Sequence, residues 1–148
     1  MQIEQATIED LEEVAVLFDK YRQFYQQPTD LEGARSYISE RLENKESTIF
    51  IVKNSEKPLG FAQLYPTFSS ISMARAWILN DLFVEKDARK QGVGAMLLLK
   101  AKEFALQTGV KSISLSTAPD NRSAQRLYER HGYVRDDQFY HYELNVSD

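Results

Sequence analysis

Two stretches of this 148-residue chain carry side chains at spacings that suit chemistry. The first runs from Ile78 to Lys102. An apolar run closes on Asn80-Asp81-Leu82-Phe83-Val84, a polar turn follows over Glu85–Asp87, and Arg89-Lys90-Gln91-Gly92-Val93-Gly94-Ala95 then opens a segment with helical patterning. Strand, glycine-bearing turn and helix together aim main-chain N–H groups at an anion such as phosphate. The first N–H groups of a helix have no intrahelical acceptor, and the helix dipole favours negative charge there. Glycines let the anion come close to the backbone, and Arg89 and Lys90 add positive charge at the mouth. The spacing narrows the ligand. A dinucleotide fingerprint needs a third glycine where Leu97 stands, and a P-loop needs Gly-Lys-Ser/Thr where the chain has Gly94-Ala95-Met96.

The second stretch is Pro119-Asp-Asn121-Arg-Ser-Ala124-Gln-Arg-Leu127-Tyr128-Glu-Arg-His131-Gly132-Tyr133. Asn121 suits a helix N-cap, and Gly132 suits the stop. Tyr128 carries a phenol of pKa ~10, a proton donor at neutral pH; the alternative is a core tyrosine beside Leu127 and Ala124. Asp81 can serve as a base through water, as an anchor for a cation, or as a strand-end carboxylate bonded to nearby backbone. Asn80 beside it cannot act as a base. Tyr21, Phe24 and Tyr25 can line an acceptor site, although aromatics at helical spacing more often belong to a core. His131 and His141 are the only histidines and neither has a second ligand at metal spacing, so both read as structural.

These residues need elements to position them. Ile3–Ala6 is predicted as a strand, and Thr7 caps the start of a helix carrying Leu11, Val14, Phe18, Tyr21 and Tyr25. That helix should end near Gln27, before Pro28. Thr29 or Asp30 caps a second helix with Leu31, Ala34, Ile38 and Leu42 on its buried stripe. Thr48–Val52 and Leu59–Tyr65 read as a hairpin across a polar turn. Residues 66–74 read as a loop, and Arg75–Val84 as the long strand feeding the glycine turn. The helix after Gly92 should end at Gly109. Ser112–Thr117 is a strand, the helix from Ser123 to His131 follows, and Tyr133–Val134 and Phe139–Val146 complete the strands. The order is βααβββαβαββ. It implies a mixed α/β (α+β) fold in one domain, 1–148, whose mostly antiparallel sheet holds one parallel pair joined through a helix.

Composition excludes several classes. The net charge of −4 leaves no basic footprint for nucleic acid. With no cysteine there is no disulfide, zinc–thiolate site or cysteine nucleophile. No apolar run approaches the ~18 residues of a membrane span, and Met1-Gln-Ile-Glu-Gln does not begin a secretory signal. A cytoplasmic protein is expected, without metal, nucleic-acid or membrane partners.

Arg89-x-x-Gly92-x-Gly94 resembles the pyrophosphate-binding motif of the GCN5-related N-acetyltransferases (GNAT), which bind acetyl-coenzyme A. Asn121-x-x-Ala124-x-x-Leu127-Tyr128-x-x-x-Gly132-Tyr133 is similar to the second motif of that family, and the element order also matches. Within the family, Gly60-Phe-Ala-Gln-Leu-Tyr65 and Ile78–Val84 are most like the polyamine acetyltransferases of the spermidine/spermine type and the small Hpa-type enzymes. The resemblance implies a GNAT fold with a splayed central parallel pair. It implies acetyl-CoA held by Arg89, Lys90, Gln91, Gly92, Val93, Gly94 and Ala95, by the strand end Leu82-Phe83-Val84 pairing with pantetheine, and by Asn121, Ala124 and Tyr128. Tyr128 would protonate the leaving thiolate. Tyr25, Asn80 and Asp81 would meet the acceptor, with Asp81 the remaining acid where the polyamine enzymes carry an acidic pair. No cysteine and no Gly-x-Ser-x-Gly motif favour direct attack by the amine in a ternary complex. Three functions are carried forward: acetyl transfer to a small amine (polyamine, amino acid or similar), acetyl transfer to a protein lysine or N-terminus, and a non-catalytic acyl-CoA sensor. A bulge at Asn80-Asp81 is expected to open the parallel pair. A homodimer through the aromatic-rich segment 133–146 is expected.

Overall fold

The computed structural model of the chain describes residues 1–147. In chain order the elements are β1 (Gln2–Gln5), a 3-10 turn (Ile8–Asp10), α1 (Leu11–Phe24), α2 (Leu31–Glu43), β2 (Thr48–Asn54), β3 (Lys57–Ser69), β4 (Ala74–Val84), a second 3-10 turn (Lys86–Ala88), α3 (Val93–Thr108), β5 (Ile113–Ser114) and α4 (Arg122–Arg130). The five strands lie in the order β1-β2-β3-β4-β5. Only β4 and β5 run parallel, joined through α3.

Local chemistry sets most boundaries. Thr7 and Asp10 form a reciprocal capping box ahead of α1. Asp30 caps α2 by accepting from the Gly33 N–H at 2.9 Å. Gly109, at φ 72°, closes α3 in the left-handed conformation that an L side chain resists. Helix α1 stops at Phe24, three residues short of the predicted end, and Gln26 turns the chain at φ 67°.

The sheet separates two cores. On one face α3 seats Val93, Leu97, Leu98 and Ala101 on Phe50, Val52, Ala62, Leu64 and Leu79. On the other, α1 and α2 seat Val14, Leu17, Phe18 and Ile38 on Ile49, Ile51, Phe61 and Phe83. Each buried aliphatic or aromatic side chain adds roughly 1.5–3 kcal/mol of transfer free energy, so the sheet between the cores is a rigid platform.

Three further expectations are corrected. Residues 66–74 do not form a loop: β3 runs to Ser69 and β4 starts at Ala74, as one long hairpin. Pro66 is tolerated there because β2 ends at Thr48, opposite Leu64, so the missing N–H faces no ladder. The strands expected at Tyr133–Val134 and Phe139–Val146 do not form. Alternation alone cannot hold them. Strand β5 spans two residues rather than the expected Ser112–Thr117, and Phe139, Tyr140, Tyr142, Leu144 and Val146 are exposed, so nothing buried offsets the entropy of ordering them.

Candidate active site

The site begins with one extra residue in β4. Gln63 pairs with Asp81 while Leu64 pairs with Leu79, so Asn80 has no partner and forms a bulge. The bulge lies where the polar pair interrupts the apolar strand. It shifts the side-chain alternation by one. Trp77 and Leu79 face α3 before it, Leu82 and Val84 face α3 after it, and Phe83 faces α1. Asp81 therefore points to the α1 face, directly beneath the helix that carries the tyrosines.

The bulge coincides with a gap. Strands β4 and β5 pair only at Trp77–Ile113 and Ile78–Ser114. From Leu79 onward β4 has a free edge, and the chain after Ser114 leads away to α4. The Glu85 N–H donates to Leu59 O at 2.8 Å. Strand alternation then turns the main chain of Phe83 toward β3, and that of Leu82 and Val84 toward the open edge. Of the three predicted backbone contacts, Leu82 and Val84 turn main-chain groups to the gap, the Val84 carbonyl there accepting from Arg89 Nε, and Phe83 does not.

The glycine turn closes one end of that gap. Gly92 stands at φ 86° as the N-cap of α3, with no side-chain cap and no atom within 4 Å of where a Cβ would be. The first N–H to bond back is that of Met96, to Gly92 O at 3.0 Å. The N–H groups of Val93, Gly94 and Ala95 thus lead an uncapped helix end. Gly94 has a second role that spacing did not reveal: a Cβ there would lie 3.0 Å from Leu127 Cδ2, so Gly94 lets α4 approach α3. Arg89 folds back, its Nε donating to Val84 O at 3.2 Å, and Gln91 donates to Asp87 O at 3.1 Å. Lys90 sits in the turn at φ 66°. Asn121 accepts from the Ala124 N–H at 3.2 Å, so these two residues are first a helix cap.

Tyr128 stands over the gap from α4. Its ring packs against the α3-side core and lies 6.1 Å from the ring of Tyr133. Among the described residues its hydroxyl has no hydrogen-bond partner. Burial, with the nearby Tyr25 and Tyr133 phenols, pushes its pKa up to about 12. The Tyr133 hydroxyl, also pushed up by burial, is wholly buried and unpartnered.

From the opposite face comes a buried polar chain. Ser47 donates to Gln63 Oε1 at 2.7 Å, which turns the Gln63 amide nitrogen toward Asp81 Oδ2. Asn80 Nδ2 donates to Asp81 Oδ1 at 2.8 Å, and the Tyr21 phenol donates to Asn80 O at 3.1 Å. Gln63 is 0% and Asp81 2% exposed. Burial raises the pKa of Asp81 above 3.8, opposed by the hydrogen bonds of Gln63, Asn80 and Tyr21. Tyr21 is raised by burial and by Asp81, Tyr25 and Tyr128 in turn. Those couplings bring α1, β4 and α4 around a single space. The gap in the sheet is what lets groups from its two faces meet.

Residues 12–133 match the acetyltransferase (GNAT) family. The chain belongs to that family. It is 51% identical over 146 residues to the uncharacterized N-acetyltransferase YhfO of Bacillus subtilis, covering 99% of this chain and 98% of that one. It is 32% identical over 139 residues to a probable acetyltransferase of Haemophilus influenzae, covering 93% of each. A crystal structure of a probable acetyltransferase superimposes with a TM-score of 0.93 at 45% identity, covering 100% of this chain and 99% of that one.

The protein is thus a GNAT acetyltransferase, and its family uses acetyl-CoA. The donor set fits that ligand: an uncapped helix N-terminus with open space beside Gly92, a free strand edge, and an orphaned phenol at Tyr133. The structure brings together Tyr25, the Asn80-Asp81 pair and Tyr128 from three separate places in the sequence. It adds Ser47 and Gln63, a lone amide within the stretch Gly60–Tyr65, neither of which was expected at the site. Tyr21 joins the core edge, whereas Phe24 is 50% and Tyr25 47% exposed. Among the described residues no group of His, Cys, Asp or Glu is placed to hold a metal, and no helix is long and apolar enough to cross a membrane.

Proposed function

We propose that the protein transfers the acetyl group of acetyl-CoA to a primary amine of a small molecule, the class that includes polyamines and amino acids, by direct attack in a ternary complex. The observation that carries this reading is the gap between β4 and β5, with Tyr128 on one face of the sheet and Asp81 on the other. Acetyl-CoA supplies an activated thioester. The N–H groups of Val93, Gly94 and Ala95 would hold its pyrophosphate, and the main chains of Leu82 and Val84 would hold its pantetheine along the open edge. Arg89, Lys90 and Gln91 would complete the turn, while Asn121 and Ala124 would flank the far side.

Tyr128 Oη keeps its proton at neutral pH, because burial holds it protonated. With no hydrogen-bond partner among the described residues, it is free to donate to negative charge developing at sulfur. Asp81 Oδ1 and Oδ2 would hold the incoming ammonium and take up a proton through water. Phe61 and Tyr21 pack on the α1 side, and Tyr25 stands half-exposed at its rim.

Residues 1–148 act as one N-acetyltransferase domain in this reading, in the cytoplasm, as a homodimer whose contact is the exposed apolar segment Phe139–Val146. A screen of polyamines, amino acids and peptides with acetyl-CoA, reading thiol release, tests the function. Turnover with small amines is expected. Turnover confined to peptides would replace it with protein acetylation.

A further inference from the structure

The α1 side of the site is built for less charge than a polyamine carries. Asp81 is met only by neutral donors, the amides of Gln63 and Asn80 and the Tyr21 phenol, and among the described residues no cation pairs with it. A carboxylate at 2% exposure without a counter-ion is a costly arrangement, and one ammonium resolves it. Among the described residues, two other carboxylates on this side are already engaged. Asp19 is saturated by Thr29 Oγ1 at 2.6 Å, the Asp30 N–H at 2.8 Å and Gln23 Nε2 at 3.1 Å. Glu85 is bound to Lys20 at 2.6 Å. Behind Tyr65, whose hydroxyl shares a 2.7 Å hydrogen bond with Tyr37, stands the guanidinium of Arg41, 4.3 Å from the Tyr37 ring centroid and already paired with Glu40 and Glu46. That wall is closed to a further positive charge.

The remaining lining is aromatic. Tyr21 and Tyr25 meet edge-to-face at 5.1 Å, Phe24 and Tyr25 at 5.2 Å, and Tyr21 and Phe61 at 5.9 Å. Half of the surface of Phe24 and Tyr25 is open at the end of α1, where Tyr25 lies near Tyr128. Ring faces attract a cation and cover an apolar body equally well.

From these observations we propose that the acceptor is a compact amine with a single positive charge on an apolar or aromatic body, its ammonium at Asp81 and its body against Tyr21, Phe24 and Tyr25. This rests on the acetyl-transfer reading above and narrows its substrate class.

The test separates charge from turnover. The protein with bound coenzyme A is titrated calorimetrically with 2-phenylethylamine, with the alcohol of the same body, and with 1,4-diaminobutane and spermidine. Acetylation of the three amines is then measured with acetyl-CoA. The monoamine should bind at least tenfold tighter than the alcohol and than either polyamine, and have the highest kcat/KM. Phe24→Ala and Tyr25→Ala should each weaken the monoamine by about 2- to 13-fold, the span of one aromatic contact, with coenzyme A binding unchanged for Phe24→Ala. Equal binding of amine and alcohol, or preference for spermidine, overturns the inference and leaves acetyl transfer standing. Failure of coenzyme A to bind overturns both.

Discussion

Tyr128→Phe isolates the group assigned to the leaving sulfur. In the folded protein the Tyr128 hydroxyl has no hydrogen-bond partner among the described residues, and its ring packs with Tyr133 and the α3-side core. Phe keeps that packing, and removing an unpaired, largely buried hydroxyl is nearly neutral or stabilising. The melting temperature should therefore stay within a few degrees of wild type. The loss belongs to the transition state. A phenol pushed up to about 12 is a weaker acid than an ordinary thiol of pKa ~8.5, a mismatch of roughly 5 kcal/mol against complete proton transfer. Tyr128 then acts mainly as a hydrogen-bond donor to growing negative charge. Removing one such donor costs about 10²–10³-fold in kcat, the lower part of the ~10²–10⁴-fold range of general acid catalysis. The KM for acetyl-CoA should change by less than about tenfold. Because the phenol titrates near 12, the wild-type rate should show no decline from its ionisation at moderately alkaline pH. The assay is thiol release under saturating amine, alongside a thermal melt. A variant with kcat within threefold of wild type would make Tyr128 a packing residue and refute the reasoning. So would a loss carried wholly by KM.

Three further outcomes are expected. Acetyl-CoA should raise the melting temperature by mass action, and Gly92→Glu should abolish that rise by placing a carboxylate in the open space at the α3 N-terminus. Gly92→Asn, which tolerates φ 86°, should retain most of it, and a full shift in the Glu variant would move the pyrophosphate elsewhere. Burial holds the folded pKa of Asp81 above 3.8, so the folded state binds the extra proton between the two values and stability falls as pH rises through the folded pKa. The melting temperature of Asp81→Asn minus that of wild type should therefore increase from acid to neutral pH; a flat difference would mean that the carboxylate is not desolvated. Light scattering at micromolar protein should give a dimer mass, and Tyr140→Asp with Tyr142→Asp should lower it to the monomer; a monomeric wild type ends the proposal of a contact through 139–146.

Features that depend on a few neighbouring residues were legible along the chain. Gly92 and Gly109 take left-handed φ values where glycines end or begin a helical pattern, Asp30 and Asn121 cap the helices that follow them, and Asn80-Asp81 marks the bulge because polar residues interrupt an apolar strand. Caps, turns and bulges are settled within about one helical turn or one strand pair, so spacing carries the information. The two family motifs have the same local character. Other features needed partners distant in sequence. The alternation of Phe139–Val146 suits a strand, yet no edge receives it, since pairing and burial belong to the whole sheet. The spacing around Gly94 suggested a phosphate neighbour, but the seat that it gives Leu127, thirty-three positions away, exists only in the tertiary structure. Gln63 lay within Gly60–Tyr65 with no legible role, because its role exists only once β3 lies against β4 with a bulge between them. The same bulge sends Asp81 to one face of the sheet and Leu82 and Val84 to the other, and the early divergence of β5 leaves the opening through which Tyr25 and Tyr128 come within electrostatic reach. A one-residue shift in a strand reverses every side chain beyond it, and its effect on the site appears only when both faces of the sheet are covered.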